Sequence, residues 1–162
     1  NLPFDKRIYV KTGISFTMLQ LNLPPFDHNL KKERGKLYIF DSVRKKFVLL
    51  TPEEWVRQHF VWFLITQKKV SLSLVGLEKS RKYNEIDKRT DIIVWKDILQ
   101  PWLLVECKSS HINVDDHGVF QLLTYNKSLQ APFLAVTNGI THKYFQKIED
   151  AYFSINELPD FK

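Results

Sequence analysis

The sequence predicts an α/β domain of the α+β kind, with a central mixed β-sheet flanked by helices on both sides. Three observations carry that expectation. "TDIIVW", "WLLVEC" and "PFLAVT" are short, nearly continuous apolar runs, the pattern of strands covered on both faces. Residues 51–69 and 115–130 show helical periodicity, the first ahead of these runs and the second between the last two. "KLYIFDSVRKKFVLL" (36–50) places two β-prone runs around a polar connection, as a hairpin does.

Each element has its own local reason. The first 35 residues hold "NLPFD" and "NLPPFD" around the β-prone "ISFTMLQL", and read as an N-terminal arm. Met18 is the only methionine and the chain opens on Asn, so residues 1–17 are expected to be an extension, vector-derived or read from upstream. Residues 36–162 read as a single domain. In "TPEEWVRQHFVWFLITQKK" Thr51 is the expected N-cap, Pro52 suits the first helical position, and Glu54 completes a Thr-x-x-Glu capping box. Val56, Phe60, Phe63 and Leu64 recur at helical spacing and should face the core. "VSLSLVGLEK" alternates Val70, Leu72 and Leu74 with serines and reads as a half-buried strand, and "HKYFQKI" (142–148) as a final one.

Composition narrows the setting. No run approaches the roughly 18 apolar residues of a membrane span, and "FVWFLI" is the longest apolar patch. The opening residues lack the design of a secretory signal, and one cysteine forms no internal disulfide, so a reducing cytoplasm is the expected compartment. A formal charge of +6 and a pI near 9.3, concentrated in "KKERGK" (31–36), "VRKK" (43–46) and "KSRKYNEIDKR" (79–89), favour an anionic partner.

The chemistry gathers on one stretch, "TDIIVWKDILQPWLLVECKSS" (90–110). If its two apolar runs pair through a symmetric turn, the midpoint falls between Ile98 and Leu99 and sets Asp91 directly opposite Glu106. Lys108, two residues beyond Glu106, then shares that face. Opposed carboxylates in a sheet repel, and a hard divalent cation such as Mg²⁺ neutralises them while keeping waters for a phosphate ligand. The alternative is a pair of solvent-facing strand ends with a weak surface ion pair, and a one-residue slip in the turn would separate the carboxylates. Cys107 should point into the core as a small hydrophobe. His111 and His117 lack partners at zinc-ligand spacing and read as loop histidines.

With Asp91 and then Glu-x-Lys fifteen residues on, the chain resembles the PD-(D/E)XK nuclease superfamily and, more narrowly, the N-terminal nuclease domain of the restriction subunit of type I restriction enzymes. "LTPEEWVRQHF", "KRTDIIVW", "LLVECK", "QLLTY" and "LAVTNG" occur in that family's order between about residues 36 and 147. The resemblance implies a restriction-endonuclease-like core in which Asp91 and Glu106 ligate the metal, with the backbone carbonyl of Cys107, and Lys108 is the catalytic lysine. It implies that Gln121 and Tyr125, the family's Gln-x-x-x-Tyr, hold the site or touch DNA. It implies an acidic residue from the first helix as well, Glu53 rather than the capping Glu54. Thr90 stands where the superfamily's name has proline. No G-x-x-x-x-G-K-[ST] loop occurs in these residues, so motor activity is not expected of them.

The function expected on these grounds is Mg²⁺-dependent hydrolysis of DNA phosphodiesters, with Mn²⁺ able to substitute and endonuclease action favoured over exonuclease. The role would be restriction or DNA processing, with DNA and other restriction-modification or helicase subunits as partners and no membrane. The competing expectation is a catalytically silent nucleic-acid-binding or assembly module on the same fold.

Overall fold

A computed structural model describes residues 19–77 and 90–162 in full, together with the backbone of β1 (Ile8–Tyr9) and β2 (Ser15–Phe16), which pair antiparallel. Apart from those two strands, the expected extension through residue 17 and the basic stretch 79–89 lie outside the described residues.

β3 (Leu30–Glu33), β4 (Lys36–Asp41) and β5 (Lys46–Leu49) form a three-stranded antiparallel sheet. The expected hairpin is β4–β5; β3 joins it through Glu33–Lys36, where Gly35 takes the φ of +77° that the tight turn needs. α1 (Pro52–Thr66) follows, capped by the Thr51 hydroxyl, which accepts from the Glu54 amide at 3.0 Å. The segment expected as an arm is packed onto the domain from residue 19 onward: Leu21 is buried, and the Asn22 amide donates to the Gly139 carbonyl at 2.7 Å.

The second sheet is built from β6 (Val75–Gly76), β7 (Ile92–Trp95), β8 (Pro101–Cys107), β9 (Phe133–Thr137), β10 (His142–Ile148) and β11 (Ala151–Ile155), in the order β11-β10-β9-β8-β7-β6. Only β8–β9 is parallel, a pairing that needs a crossover, and α2 (Asp116–Leu129) supplies it. Val56, Phe60, Phe63 and Leu64 of α1 pack with Ile92, Val94, Leu103 and Val105 on one face. Leu122 of α2 packs with Ile93, Leu104, Leu134 and Val136 on the other. Both faces of β7 and β8 are therefore covered, which is why these strands lack polar alternation.

Residues 70–76 depart from expectation. Leu72–Leu74 forms a 3-10 turn, and only Val75–Gly76 pairs with β7. The Leu74 amide donates to the Ser71 carbonyl at 3.0 Å, the i to i+3 bond of a 3-10 turn, which takes both groups out of an extended ladder.

The hairpin turn carries a second correction. The tip closes around Ile98: Lys96 donates to Gln100 at 2.7 Å, and the Asp97 carboxylate accepts from the Leu99 and Gln100 amides at 2.9 and 3.0 Å. Trp95 pairs with Pro101 but Val94 with Leu103, so Trp102 is an extra residue in β8. This bulge cancels the one-residue shortening of the turn. Ile92 then opposes Val105, the register that a turn centred between Ile98 and Leu99 would give.

Candidate active site

Asp91 stands one residue before β7, and Glu106 and Lys108 bracket the end of β8. The ladder proper stops at Ile92. Asp91 is nonetheless tied to β8 twice, through its amide to the Val105 carbonyl at 3.0 Å and through its Oδ2, which accepts from the Cys107 amide at 2.6 Å. Thr90, fully buried, adds its hydroxyl to the same Val105 carbonyl at 2.8 Å. A threonine at this position thus fastens the start of β7 by a bond that proline lacks.

Glu106 and Lys108 share a face, as the two-residue period requires, and the Lys108 ammonium donates to Glu106 Oε1 at 2.6 Å. The Lys108 amide donates to the Thr137 carbonyl at 2.8 Å, which fixes this end of β8 against β9. The start of α2 closes over Lys108. A Cβ on Gly118 would sit 3.2 Å from a Val136 methyl and 3.6 Å from Lys108 Cε, so glycine permits this approach. Asp115 caps the helix there, accepting from the Gly118 amide at 3.2 Å.

The residue that sequence reasoning left out of the site is Arg57. It is buried on α1 and its guanidinium reaches three carboxylates: Asp91 Oδ1 at 2.8 Å, Glu53 at 2.9 Å, and Glu54. Burial opposes its charge, but Asp91 and Glu54 outweigh that and raise its pKa. Its Nε is buried without a hydrogen-bond partner among the described residues. Glu54, expected to close a capping box, instead turns its carboxylate to Arg57, to Gln58 at 2.8 Å and to Arg44 at 3.4 Å. Arg44 in turn holds the fully buried Asp41 at 2.9 Å. The signal was present in "PEEWVR", where Arg57 follows Glu53 by four residues and Glu54 by three on one helical face.

Glu53 is half-exposed at the start of α1, and its carboxyl is raised by burial and by the nearby Asp91, against the pull of Arg57 and Lys108. Glu106 is raised by burial and then by Asp91, opposed by Lys108. Burial works against the Lys108 charge, yet Glu106, Asp91 and Glu53 together raise its pKa, so the ammonium is protonated at neutral pH. Mutual perturbation of this sort marks groups that share one electrostatic site.

The other expected residues have varied surroundings. Cys107 is buried in the α1-side core, and burial pushes its thiol well up. Gln121 is exposed on α2, and Tyr125 is half-buried with Ile93, Leu104 and Leu122. His111 and His117 are exposed. Among the described residues no three His, Cys, Asp or Glu side chains are grouped closely enough to hold a metal ion by themselves.

A mixed sheet with a helix on each face, bearing Asp91, Glu106 and Lys108 at the ends of adjacent central strands, is a restriction-endonuclease-like core. No curated protein sequence matches the chain. The family described as the N terminus of the type I restriction enzyme R protein matches residues 52–159, and the chain belongs to it. That membership gives the domain a restriction-modification role of the nuclease type. No helix among the described residues is long and apolar enough to cross a membrane.

Proposed function

We propose that the domain is a divalent-metal-dependent nuclease that hydrolyses phosphodiester bonds in DNA, endonucleolytically, in restriction or a related DNA-processing role. The observation that carries this reading is the convergence of Asp91, Glu106 and Lys108 where β7 begins and β8 ends. Charge balance supports a cation. Among the described residues five carboxylates, Asp41, Glu53, Glu54, Asp91 and Glu106, are ion-paired with only three cations, Arg44, Arg57 and Lys108.

The donor chemistry fits Mg²⁺. Asp91, Glu106 and the Cys107 carbonyl offer only oxygen, and Mg²⁺ needs few protein ligands because it retains waters. Each Asp91 oxygen gives one lone pair to Arg57 or the Cys107 amide and has another to spare. Mn²⁺, with similar ligand preferences, should substitute. When bound, such an ion supplies Lewis acidity toward the phosphodiester and a more acidic water. Arg57 and the Cys107 amide orient Asp91 between them. Lys108, kept protonated, donates to the developing charge on phosphorus-bound oxygen rather than abstracting a proton. Glu53 adds an acidic group at the mouth of the site, and Gln121 and Tyr125 on α2 hold the site or contact DNA. The positive net charge of the chain suits DNA, and other restriction-modification or helicase subunits are the further partners this reading calls for.

A second reading is a silent DNA-binding or assembly module, favoured by one observation: the Arg57 guanidinium already neutralises Asp91. One experiment separates them. Supercoiled and single-stranded DNA are incubated with the purified chain and Mg²⁺ or Mn²⁺, beside Asp91→Ala and Lys108→Ala. The nuclease reading expects cleavage that falls by about 100-fold or more in each variant. Cleavage that persists in both rejects the assigned residues, and binding without cleavage in either metal establishes the module.

A further inference from the structure

The three-stranded sheet β3–β5 lies ahead of the family-matched residues 52–159 and has an outer face that the candidate site does not use. Leu30, Ile39 and Val48 point inward to the main core. The two-residue period therefore turns Lys31, Lys36, Tyr38, Phe40, Phe47 and Leu49 outward. Phe40 and Phe47 meet edge-to-face at 5.4 Å, and Phe40 remains 36% exposed. The Lys31 ammonium stands over the Tyr38 and Phe47 rings at 5.5 and 4.8 Å. Phe40 is thus the ring left open for stacking.

The same sheet unites two basic clusters that are separate in sequence. "KKERGK" forms the β3–β4 end and "VRKK" the β4–β5 end. Residues 30–49 contain seven Lys and Arg but only two carboxylates. Glu33 offsets Lys31 and the buried Asp41 offsets Arg44, which still leaves an excess of five positive charges over these residues. The β4–β5 end also adjoins the candidate site, because Arg44 reaches Glu54, whose partner Arg57 holds Asp91.

We infer that this outer face binds single-stranded nucleic acid, with a base stacked on Phe40 and phosphates met by Lys31, Lys36 and Lys45. An open ring amid cations suits a ligand that offers both an uncovered π-face and a phosphate chain. Duplex DNA hides its base faces, and an acidic peptide would engage the lysines without using the ring. The inference does not depend on catalysis.

The test is fluorescence anisotropy of a fluorescein-labelled dT 20-mer with the full chain, with divalent metal chelated so that cleavage plays no part. Phe40→Ala and Phe40→Leu should each weaken binding by about 5- to 100-fold while melting as the parent does, Phe40→Leu keeping an apolar side chain without a ring. Lys36→Gln/Lys45→Gln should reduce the slope of log affinity against log salt by roughly 1.4, two phosphate contacts on a single strand. Photocrosslinking of the parent chain to an oligonucleotide carrying 5-iododeoxyuridine, followed by peptide mapping, gives a readout that needs no variant, and Phe40 or Tyr38 should carry the adduct. The inference is overturned if Phe40→Leu binds as tightly as the parent, if a 20-base-pair duplex or polyglutamate competes as well as unlabelled dT, or if adducts form only elsewhere.

Discussion

Arg57→Met is the most informative single change, because it removes one buried guanidinium from three carboxylates while keeping length and apolar volume. Glu54 is 6% exposed and Asp91 is mostly buried, so both would face desolvation without their main counter-charge. Breaking one partner of a buried ion pair costs about 3–5 kcal/mol. Two features pull the value toward the lower end. Glu54 keeps Gln58 and Arg44, and Asp91 keeps the Cys107 amide. The Arg57 Nε, buried without a partner among the described residues, also leaves with the substitution, which removes a small existing cost. A loss of about 3 kcal/mol is expected, read in urea denaturation as a midpoint lowered by about 1.5 M for a slope of about 2 kcal/mol/M. In a double-mutant cycle Arg57→Met with Asp91→Asn should lose at least about 1 kcal/mol less than the separate losses summed. A loss below about 1 kcal/mol, or strict additivity in the cycle, refutes the view that Arg57 is the electrostatic centre of this end of the sheet.

Other expectations follow from neighbouring contacts. His59 is buried against Trp55 and Phe26, and burial lowers its pKa from 6.5 to about 4. Its contribution is full above pH 6.5 and falls by up to about 1.4 kcal/mol per unit as pH drops toward 4, since only unfolded chains then take up the proton; His59→Phe should flatten the stability profile in that window, and an unchanged profile counts against the assignment. Thr90→Val keeps shape but loses the hydroxyl bond to Val105, and should cost about 1–2 kcal/mol in denaturant melts. Gly139→Ala should be worse than an ordinary loop substitution by about 1–3 kcal/mol, because the residue holds φ +83° and its Cβ would lie 2.8 Å from a Leu21 methyl; a melting temperature matching the parent's would contradict it. Millimolar Mn²⁺ should raise the melting temperature of the parent chain and leave an Asp91→Ala/Glu106→Ala variant unmoved, which scanning calorimetry checks without any need for turnover.

What the sequence made legible was whatever depends on local periodicity. The α1 start could be read from Thr51 and Pro52, and the buried strands from unbroken apolar runs, because these signals are complete within a few residues. β3 escaped notice because "LKKE" fully buries no side chain and owes its strand to pairing with β4. The 70–76 segment was misread because apolar alternation cannot reveal that the Leu74 amide bonds back to the Ser71 carbonyl. The Ile92–Val105 register came out as expected although the turn did not. Asp97 tightened the tip by one residue and the Trp102 bulge gave that residue back, two offsetting departures that no symmetric-turn reading contains. Arg57 was hidden for a different reason. Its partner Asp91 lies 34 residues away, and only the docking of α1 on the sheet brings them together.

That separation has a kinetic side. β7 and β8 form a hairpin whose strands close over a short turn, so Asp91 and Glu106 approach each other through local contacts. Arg57 arrives only when α1 packs, and β9 only after α2 has crossed over. Contacts of low sequence separation form before those that must first close a long loop. During refolding the two acids should therefore meet before their guanidinium counter-charge is in place. Early hairpin formation is then resisted by like charges, and moderate salt should speed that step more than it stabilises the finished fold.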